Sequence, residues 1–233
     1  TLGVTVYYQA PDDAAMRVKT TQGEFEFRLA ETPESAPLHL LGSRVEVFRV
    51  PVVEQITGYT YEDDYPSVAV DKSGAPWVAW AGYRNESDEI FLKRAGAEPM
   101  KASERPGDYF GTAVAVDGRG RVWVVWSERA ALDWHLRARS YDGTSWSRTE
   151  SITGGRGSNL LHRLVADSRG NLHLVWQRFV RSGGGAAQGR ASDILYKSFD
   201  GDRWGPEHNL SDPKKDPRSN DWSPAVAADR AGT

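Results

Sequence analysis

Four Asp-x-x-Gly sequences, at Asp71, Asp117, Asp167 and Asp229, set a ruler along this chain. Eight residues before each stand Asp63, Tyr109, Asn159 and Asp221. Nine residues before stand Glu62, Asp108, Ser158 and Asn220, with Asp64 and Trp222 alongside. Acids and amides brought to one rim offer oxygen ligands that suit a cation such as calcium, or the hydroxyls of a sugar. The competing reading is structural: repeated acids cap strand ends and tie neighbouring copies together. Arg84, Arg129 and Arg178 each follow a tryptophan by two to four residues. Such a set clamps a carboxylate or sulfate in bidentate fashion, or each arginine pairs with the acid that ends its own loop, Asp88, Asp133 or Asp193.

Other chemistry is thinner. Trp80, Trp126 and Trp176 suit sugar stacking, but one per repeat is better explained by core packing between copies. His39, His135, His162, His173 and His208 lack metal-ligand spacing; among them His162 is placed to face a channel. The glycine run 183–185 and the segment 154–157 lack the strand-to-helix setting of a phosphate loop. There is no cysteine, which excludes disulfides, thiolate metal sites and a cysteine nucleophile. No catalytic residue is assigned and no cofactor is implied, calcium being the one ion the acids would suit.

The elements that must position these residues come from the repeat itself. Apolar runs such as Val68-Ala69-Val70 and Val114-Ala115-Val116 lead into the Asp-x-x-Gly turns, and the strands Trp77-Val78-Ala79-Trp80, Trp123-Val124-Val125-Trp126 and His173-Leu174-Val175-Trp176 follow. Aspartate accepts hydrogen bonds from the turn's own amides, and glycine supplies the positive φ of a tight hairpin exit. The turns recur after 46, 50 and 62 residues, the longest spacing arising mostly from 182–189; the wider stretch 181–192, with Arg181 and Arg190, suits a lid or contact arm. A third strand opens at Asp88, Asp133 and Asp193, and a fourth runs toward Ile152 or Leu210. Four antiparallel strands in about 45 residues predict a β-propeller blade. Residues 1–55 alternate in short runs bounded by turns, which predicts a small antiparallel β unit, either a sandwich-like module or a degenerate first blade.

At the turns after the third strands, Ser140-Tyr141-Asp142-Gly143-Thr144-Ser145-Trp146 and Ser198-Phe199-Asp200-Gly201-Asp202-Arg203-Trp204, the chain resembles the Asp-box (BNR) propellers of the sialidase-like superfamily. Each is one residue shorter than that family's Ser-x-Asp-x-Gly-x-x-Trp. The resemblance covers residues 60–233 and implies the architecture more than the activity. Sialidase-like catalysis further implies an Arg-Ile-Pro motif on the first innermost strand. Phe48-Arg49-Val50-Pro51 looks like it but precedes Trp77 by 26 residues, too far for one hairpin. Asp64-Tyr65-Pro66 occupies the place, with an acid where the carboxylate-binding arginine belongs. Arg84, Glu86 and Asp88 echo the loop that holds the family's acid.

The whole chain thus reads as all-β: an incomplete propeller of four-stranded blades over 60–233, about three and a quarter repeats, behind a small β unit over 1–55. Its ring is expected to close through further residues or another chain. Net charge is −3, which argues against nucleic acid as a partner, and no apolar run is long enough to span a membrane. A start at Thr1 and the absence of cysteine suit an exported bacterial protein, secreted, periplasmic or on the cell surface. The expected work is binding of a glycan, peptide or partner domain through the loops after the second strands. The alternatives are a polysaccharide hydrolase or lyase acting at the same mouth, or a scaffold for a catalytic domain elsewhere.

Overall fold

The computed structural model describes residues 55–58, 61–181, 190–211 and 220–229, together with five strands within residues 1–50; the 182–189 insertion lies outside them. Among the described residues there is no helix, and so none long and apolar enough to cross a membrane. The chain divides into two compact units, Thr1–Gly58 and Tyr59–Thr233.

The first unit holds β1 (Val4–Tyr8), β2 (Ala15–Thr20), β3 (Gly23–Arg28), β4 (Ser35–Leu40) and β5 (Ser43–Arg49). β2 and β3 form one antiparallel hairpin, and β4 and β5 another. β1, however, pairs with β5 in parallel, Val4 opposite Val45. This corrects the all-antiparallel expectation: the β2–β3 hairpin and β4 intervene between these strands, which gives the long crossover that parallel neighbours require. β4 alternates Ala36, Leu38 and Leu40 with Ser35, Pro37 and His39, but Pro37 interrupts the strand signal; it lies at the edge of the β1-β5-β4 sheet, where a missing N–H is tolerated.

The second unit contains three four-stranded antiparallel sheets. Blade 1 is β6 (Asp63–Val70), β7 (Pro76–Arg84), β8 (Ser87–Arg94) and β9 (Met100–Lys101). Blade 2 is β10 (Tyr109–Val116), β11 (Val122–Ala130), β12 (Asp133–Tyr141) and β13 (Glu150–Ser151). Blade 3 is β14 (Ser158–Ala166), β15 (Leu172–Arg181), β16 (Arg190–Phe199) and β17 (His208–Asn209). Strand order within each sheet follows the chain, as in a propeller blade. The protein is an incomplete all-β propeller.

Each hairpin between the first two strands of a blade is clamped by its aspartate. In blade 2, Asp117 Oδ1 accepts the backbone N–H groups of Arg119 and Arg121, both at 2.9 Å, and Oδ2 accepts Arg121 Nε at 2.7 Å and the indole N–H of Trp123 at 2.9 Å. Asp71 does the same for Ser73, Ala75 and Trp77, and Asp167 for Arg169, Asn171 and His173. The residue six places on must therefore carry a ring N–H. Gly74, Gly120 and Gly170 close the turns at φ of 85°, 83° and 83°. At Gly170 a Cβ would also lie 2.1 Å from the Cα of Gly118, because neighbouring turns touch through a bond from Gly118 N–H to Gly170 O at 2.9 Å.

The core consists of layers between blades. Side chains three apart on a strand face opposite sides of the sheet. Trp77 therefore packs with blade 2 residues Val122 and Val124, and Trp123 packs on Phe199 of blade 3 with ring centres 4.6 Å apart. Trp126 turns back into the layer with blade 1, and Trp176 into the layer with blade 2. Covered on both faces, Val122-Trp123-Val124-Val125-Trp126 is buried throughout, which explains its unbroken apolar character. On β6 the contrast is plain: Val68 is 64% exposed, whereas its counterpart Val114 is 4% exposed. Beyond blade 3, residues 220–229 repeat the docking of a next first strand. Asp221 N–H donates to Ser192 O at 2.9 Å, and Ser223 N–H donates to Gln177 Oε1 at 3.3 Å.

The clamp at Asp117 leads to a direct expectation. Its carboxylate is fully enclosed, so Asp117→Ala strands the buried indole N–H of Trp123 and takes an acceptor from a half-buried guanidinium and two turn amides. Loss of about 3 kcal/mol is expected, read as a lower midpoint in urea. Asp142→Ala, at an exposed turn of the same blade, is expected to lose less. Equal losses would show that burial of the clamp is not what matters.

Candidate functional site

The first strands of the three blades, β6, β10 and β14, wall a cavity of about 450 Å³ around the expected axis. Each strand bulges there. The register slips between Asp64 and Ser67, between Phe110 and Thr112, and between Leu160 and Arg163. Tyr65, Gly111 and Leu161 sit at positive φ of 53°, 65° and 53°, and Ser223 repeats this at 52°. All four lie six residues before a turn aspartate. A left-handed residue in a strand is what a bulge needs, and non-glycine residues held there store strain. Glycine at 111 takes this φ without strain, and a Cβ there would press on the His162 ring at 3.3 Å.

In blades 2 and 3 the residue after the bulge joins blade to blade. Thr112 Oγ1 donates to Tyr65 O at 2.6 Å, and its ring counterpart in blade 3, His162, bonds Val125 O through Nε2 at 3.1 Å. His162 is wholly buried. Burial pulls its pKa down to about 4, the bond to Val125 opposes this, and the neighbouring Arg163 charge adds to it. Beside these latches the cavity is aromatic. Tyr65 and Phe110 meet with ring centres 4.5 Å apart, and Phe110 meets Trp134, on the loop side of blade 2, at 6.2 Å. Tyr65 is 45% exposed, and Phe110 and Trp134 are half-buried. Arg163 reaches the cavity as an exposed cation bonded to its own neighbour's carbonyl, His162 O, at 2.8 Å.

The residues singled out from the sequence are mostly engaged inside their own blades. Asp63 Oδ1 accepts the indole N–H of Trp80 at 3.1 Å and Arg84 Nη2 at 2.6 Å. Asn159 Oδ1 accepts the indole N–H of Trp176 and Arg178 Nε, both at 2.9 Å. Arg178 also grips Glu207 with two bonds of 2.6 Å. Arg129 and Asp108 pair at 3.3 Å at an exposed position. Asp64 is exposed, Tyr109 is buried with its hydroxyl on Arg105 O at 2.7 Å, and Asp221 is held through its backbone by Ser192. His162 lines the axial cavity.

One expectation needs correcting. Arg84, Arg129 and Arg178 do not pair with Asp88, Asp133 and Asp193. Asp88 and Asp133 stand at the start of third strands, beside the next blade, and Asp193 stands within β16. Asp88 therefore accepts Tyr109 N–H at 2.9 Å and Asp133 accepts Gly157 N–H at 3.1 Å, while Asp193 accepts Asn209 Nδ2 at 3.0 Å. The arginines project from second strands toward the start of the first, where Asp63, Asp108 and Asn159 stand. Among the described residues no group of three acidic or histidine side chains converges as a metal site.

The file of Tyr65, Phe110 and Trp134 was not foreseen. Its members lie 45 and 24 residues apart in the chain, and only the bulge brings the first two together. Gly111, a lone glycine in an apolar strand, was the available signal of that bulge.

The sequence matches no family model and no curated protein. Solved structures with a similar arrangement include a subtype N10 neuraminidase-like protein of A/little yellow-shouldered bat/Guatemala/060/2010, at 12% identity and a TM-score of 0.45 over 64% of this chain and 44% of that one. They include the Penicillium chrysogenum alpha-L-arabinanase complexed with arabinobiose, at 12% and 0.43 over 66% and 51%. A fucose lectin from Kordia zhangzhouensis in complex with methyl-fucoside gives 12% and 0.37 over 60% and 95%. The chain spans about half the length of the first two. TM-scores below 0.5 leave the fold to be read from the sheets themselves, and identities this low do not speak to activity.

The buried histidine makes stability depend on pH. Unfolded, His162 titrates near 6.5; folded, near 4. Above pH 6.5 both states are neutral and nothing is lost. As pH falls from 6.5 to 4 the unfolded chain takes up a proton that the folded one refuses, and stability drops by up to ~3 kcal/mol. Asp167 acts lower: burial pulls its pKa up, but bonds from Asn171, His173 and the turn amides outweigh this and hold it near 2. In urea unfolding at pH 7 and pH 4.5, His162→Gln is expected to flatten the decline in that upper window. A decline as steep as in the unmodified protein would place its origin elsewhere.

Proposed function

We propose that the second unit is a glycan-binding propeller module whose site is the axial cavity and its loop-side rim. The observation that carries this reading is the file of Tyr65, Phe110 and Trp134, running from the cavity wall to the start of β12. Pyranose rings present flat C–H faces, and exposed aromatic rings in file give such faces a place to stack. A binding cavity mainly of apolar walls with a few placed polar groups is the usual setting for small ligands. Arg163, and the backbone freed from its ladder at the bulges, supply the polar groups here.

The neutralised rim favours recognition over hydrolysis. A glycosidase needs two carboxyl groups free to act on one bond from opposite sides. Asp63 is held by Trp80 and Arg84, and Asp108 by Arg129. Arginines already bonded to acids are well suited to share a hydroxyl and poorly suited to leave a carboxylate free as a base.

The test is a titration of the protein with a panel of defined oligosaccharides, followed by calorimetry. Binding by the unmodified protein and at least a tenfold weaker Kd in Phe110→Ala, equivalent to 1.4 kcal/mol, are expected, with no release of reducing ends on prolonged incubation. Unchanged affinity in Phe110→Ala would remove the aromatic file from the site. Steady turnover of the bound oligosaccharide would replace recognition with catalysis.

A further inference from the structure

Blades 2 and 3 differ at one station. In blade 3 the space beside Trp176 is filled: Asn159 takes the indole N–H, and Arg178 bridges from Asn159 to Glu207. The equivalent positions of blade 2 hold Tyr109, Glu128 and Thr149. Tyr109 meets Trp126 edge-on, with ring centres 6.2 Å apart, and turns its hydroxyl to Arg105 O. The indole N–H of Trp126, a residue only 2% exposed, is left without a partner. A cavity of about 360 Å³ opens there, walled by Arg105, Tyr109, Trp126, Glu128, Arg137 and Thr149.

We propose that this pocket is a second binding site, taking one ring of a neutral glycan. A hydroxyl of that ring accepts the Trp126 indole N–H, as Asn159 Oδ1 accepts that of Trp176, and a neighbouring hydroxyl donates to Glu128. Hydroxyl groups both give and accept hydrogen bonds, which is what a wall with a stranded donor and a carboxylate asks for. Charge of both signs lines the pocket, which suits a neutral ring. Glu128 already binds Arg105 Nη2 at 2.8 Å and Arg137 Nε at 2.5 Å, so both guanidinium groups are engaged. An added anion would face Glu128 and Glu104, and a cation would face the two guanidinium groups. Burial pulls the Glu128 pKa up, but the bonds from Arg105 and Arg137 outweigh it and keep the carboxylate ionised. The volume is at the small end of ligand pockets, ~300–1,000 Å³, which suits a single ring. The indole nitrogen is shielded from solvent, so entry requires a wall to give. Arg105, its side chain 77% exposed and held by Glu128 and Tyr109, is the wall expected to move. The pocket shares no wall residue with the axial cavity, and it stands whether or not that cavity takes a glycan.

The experiment reads the indole N–H signals of the nine tryptophans in ¹H–¹⁵N spectra. Trp126→Phe identifies one of them by its loss, and sequential assignment of the unmodified protein does so independently. The protein is titrated with neutral methyl hexosides and methyl pentosides, and separately with sulfate and acetate. The Trp126 signal is expected to move with at least one neutral glycoside and not with the anions. The shift is expected to vanish in Thr149→Phe, which fills the pocket from its rim and leaves Trp126 in place. No shift with any neutral glycoside overturns the proposal, as does a shift produced by sulfate or acetate, or one that persists in Thr149→Phe. The Trp134 signal reports the axial rim separately, so failure here is distinguishable from failure there.

Discussion

A fully bonded turn carboxylate, enclosed in blades 2 and 3, holds each blade together. At Asp117 one oxygen collects two turn amides and the other collects a guanidinium and an indole. Burying such a charge is costly unless each lone pair is used, and here the turn geometry guarantees the use. The clamp fixes the hairpin, and the hairpin sets which face of the second strand carries which tryptophan. Those tryptophans set the distance between sheets. Remove the carboxylate and the indole six residues on loses its anchor, and with it the layer against the next blade. The outer turns use the same device in the open. Asp142 accepts two amides and two hydroxyls at an exposed position, where water would substitute for much of it.

Between blades the polar contacts are few and enclosed. Thr112 and His162 latch onto the preceding second strand, and Ser127 and Gln177 reach forward to the next blade. Each sits in an apolar layer, so each has value mainly as a register pin: a slip of one residue would strand it. The bulges in the first strands follow from this demand. Turning one residue left-handed lets the strand present Thr112 or His162 sideways to its neighbour and still carry Val114 or Leu164 into the layer below. The aromatic file at the axis arises at the same irregular backbone, which is the usual relation between strain and surface chemistry.

Period and turn chemistry made the blades legible. Asp71, Asp117 and Asp167, with their glycines and the ring-bearing residue six places on, state the hairpins outright, and the loss of alternation in Val122–Trp126 signals a strand covered on both sides. The acids at the rim were legible as a set but not in their bonding. Their partners are chosen by which way a strand-edge side chain leans, and Asp88 leans to the next blade, whereas Arg84 leans back to its own. The file of rings was illegible because it depends on contacts between blades at a bulge whose residues differ in type: Tyr65, Gly111, Leu161. In the first unit β4 was missed because Pro37 hides an edge strand, and β1 was mispaired because alternation carries no information about direction.

These distinctions bear on where function resides in a repeat. A residue recurring at one station in every copy is already accounted for by the stacking of copies; Trp80, Trp126 and Trp176 are buried in equivalent places for that reason. Information about a ligand lies in the copies that depart from the rule. Asp63 and Asn159 obey it by taking an indole N–H. Tyr109 does not, and beside it stand Glu128 and Thr149, where blade 3 has Arg178 and Glu207 and blade 1 has Gly82 and Pro99. The departure that bears on a ligand is the lost acceptor, because it leaves a buried donor beside an open space. Blade 2 instead keeps the donor bare, surrounds it with an engaged carboxylate and two arginines, and leaves room for the missing oxygen to come from outside.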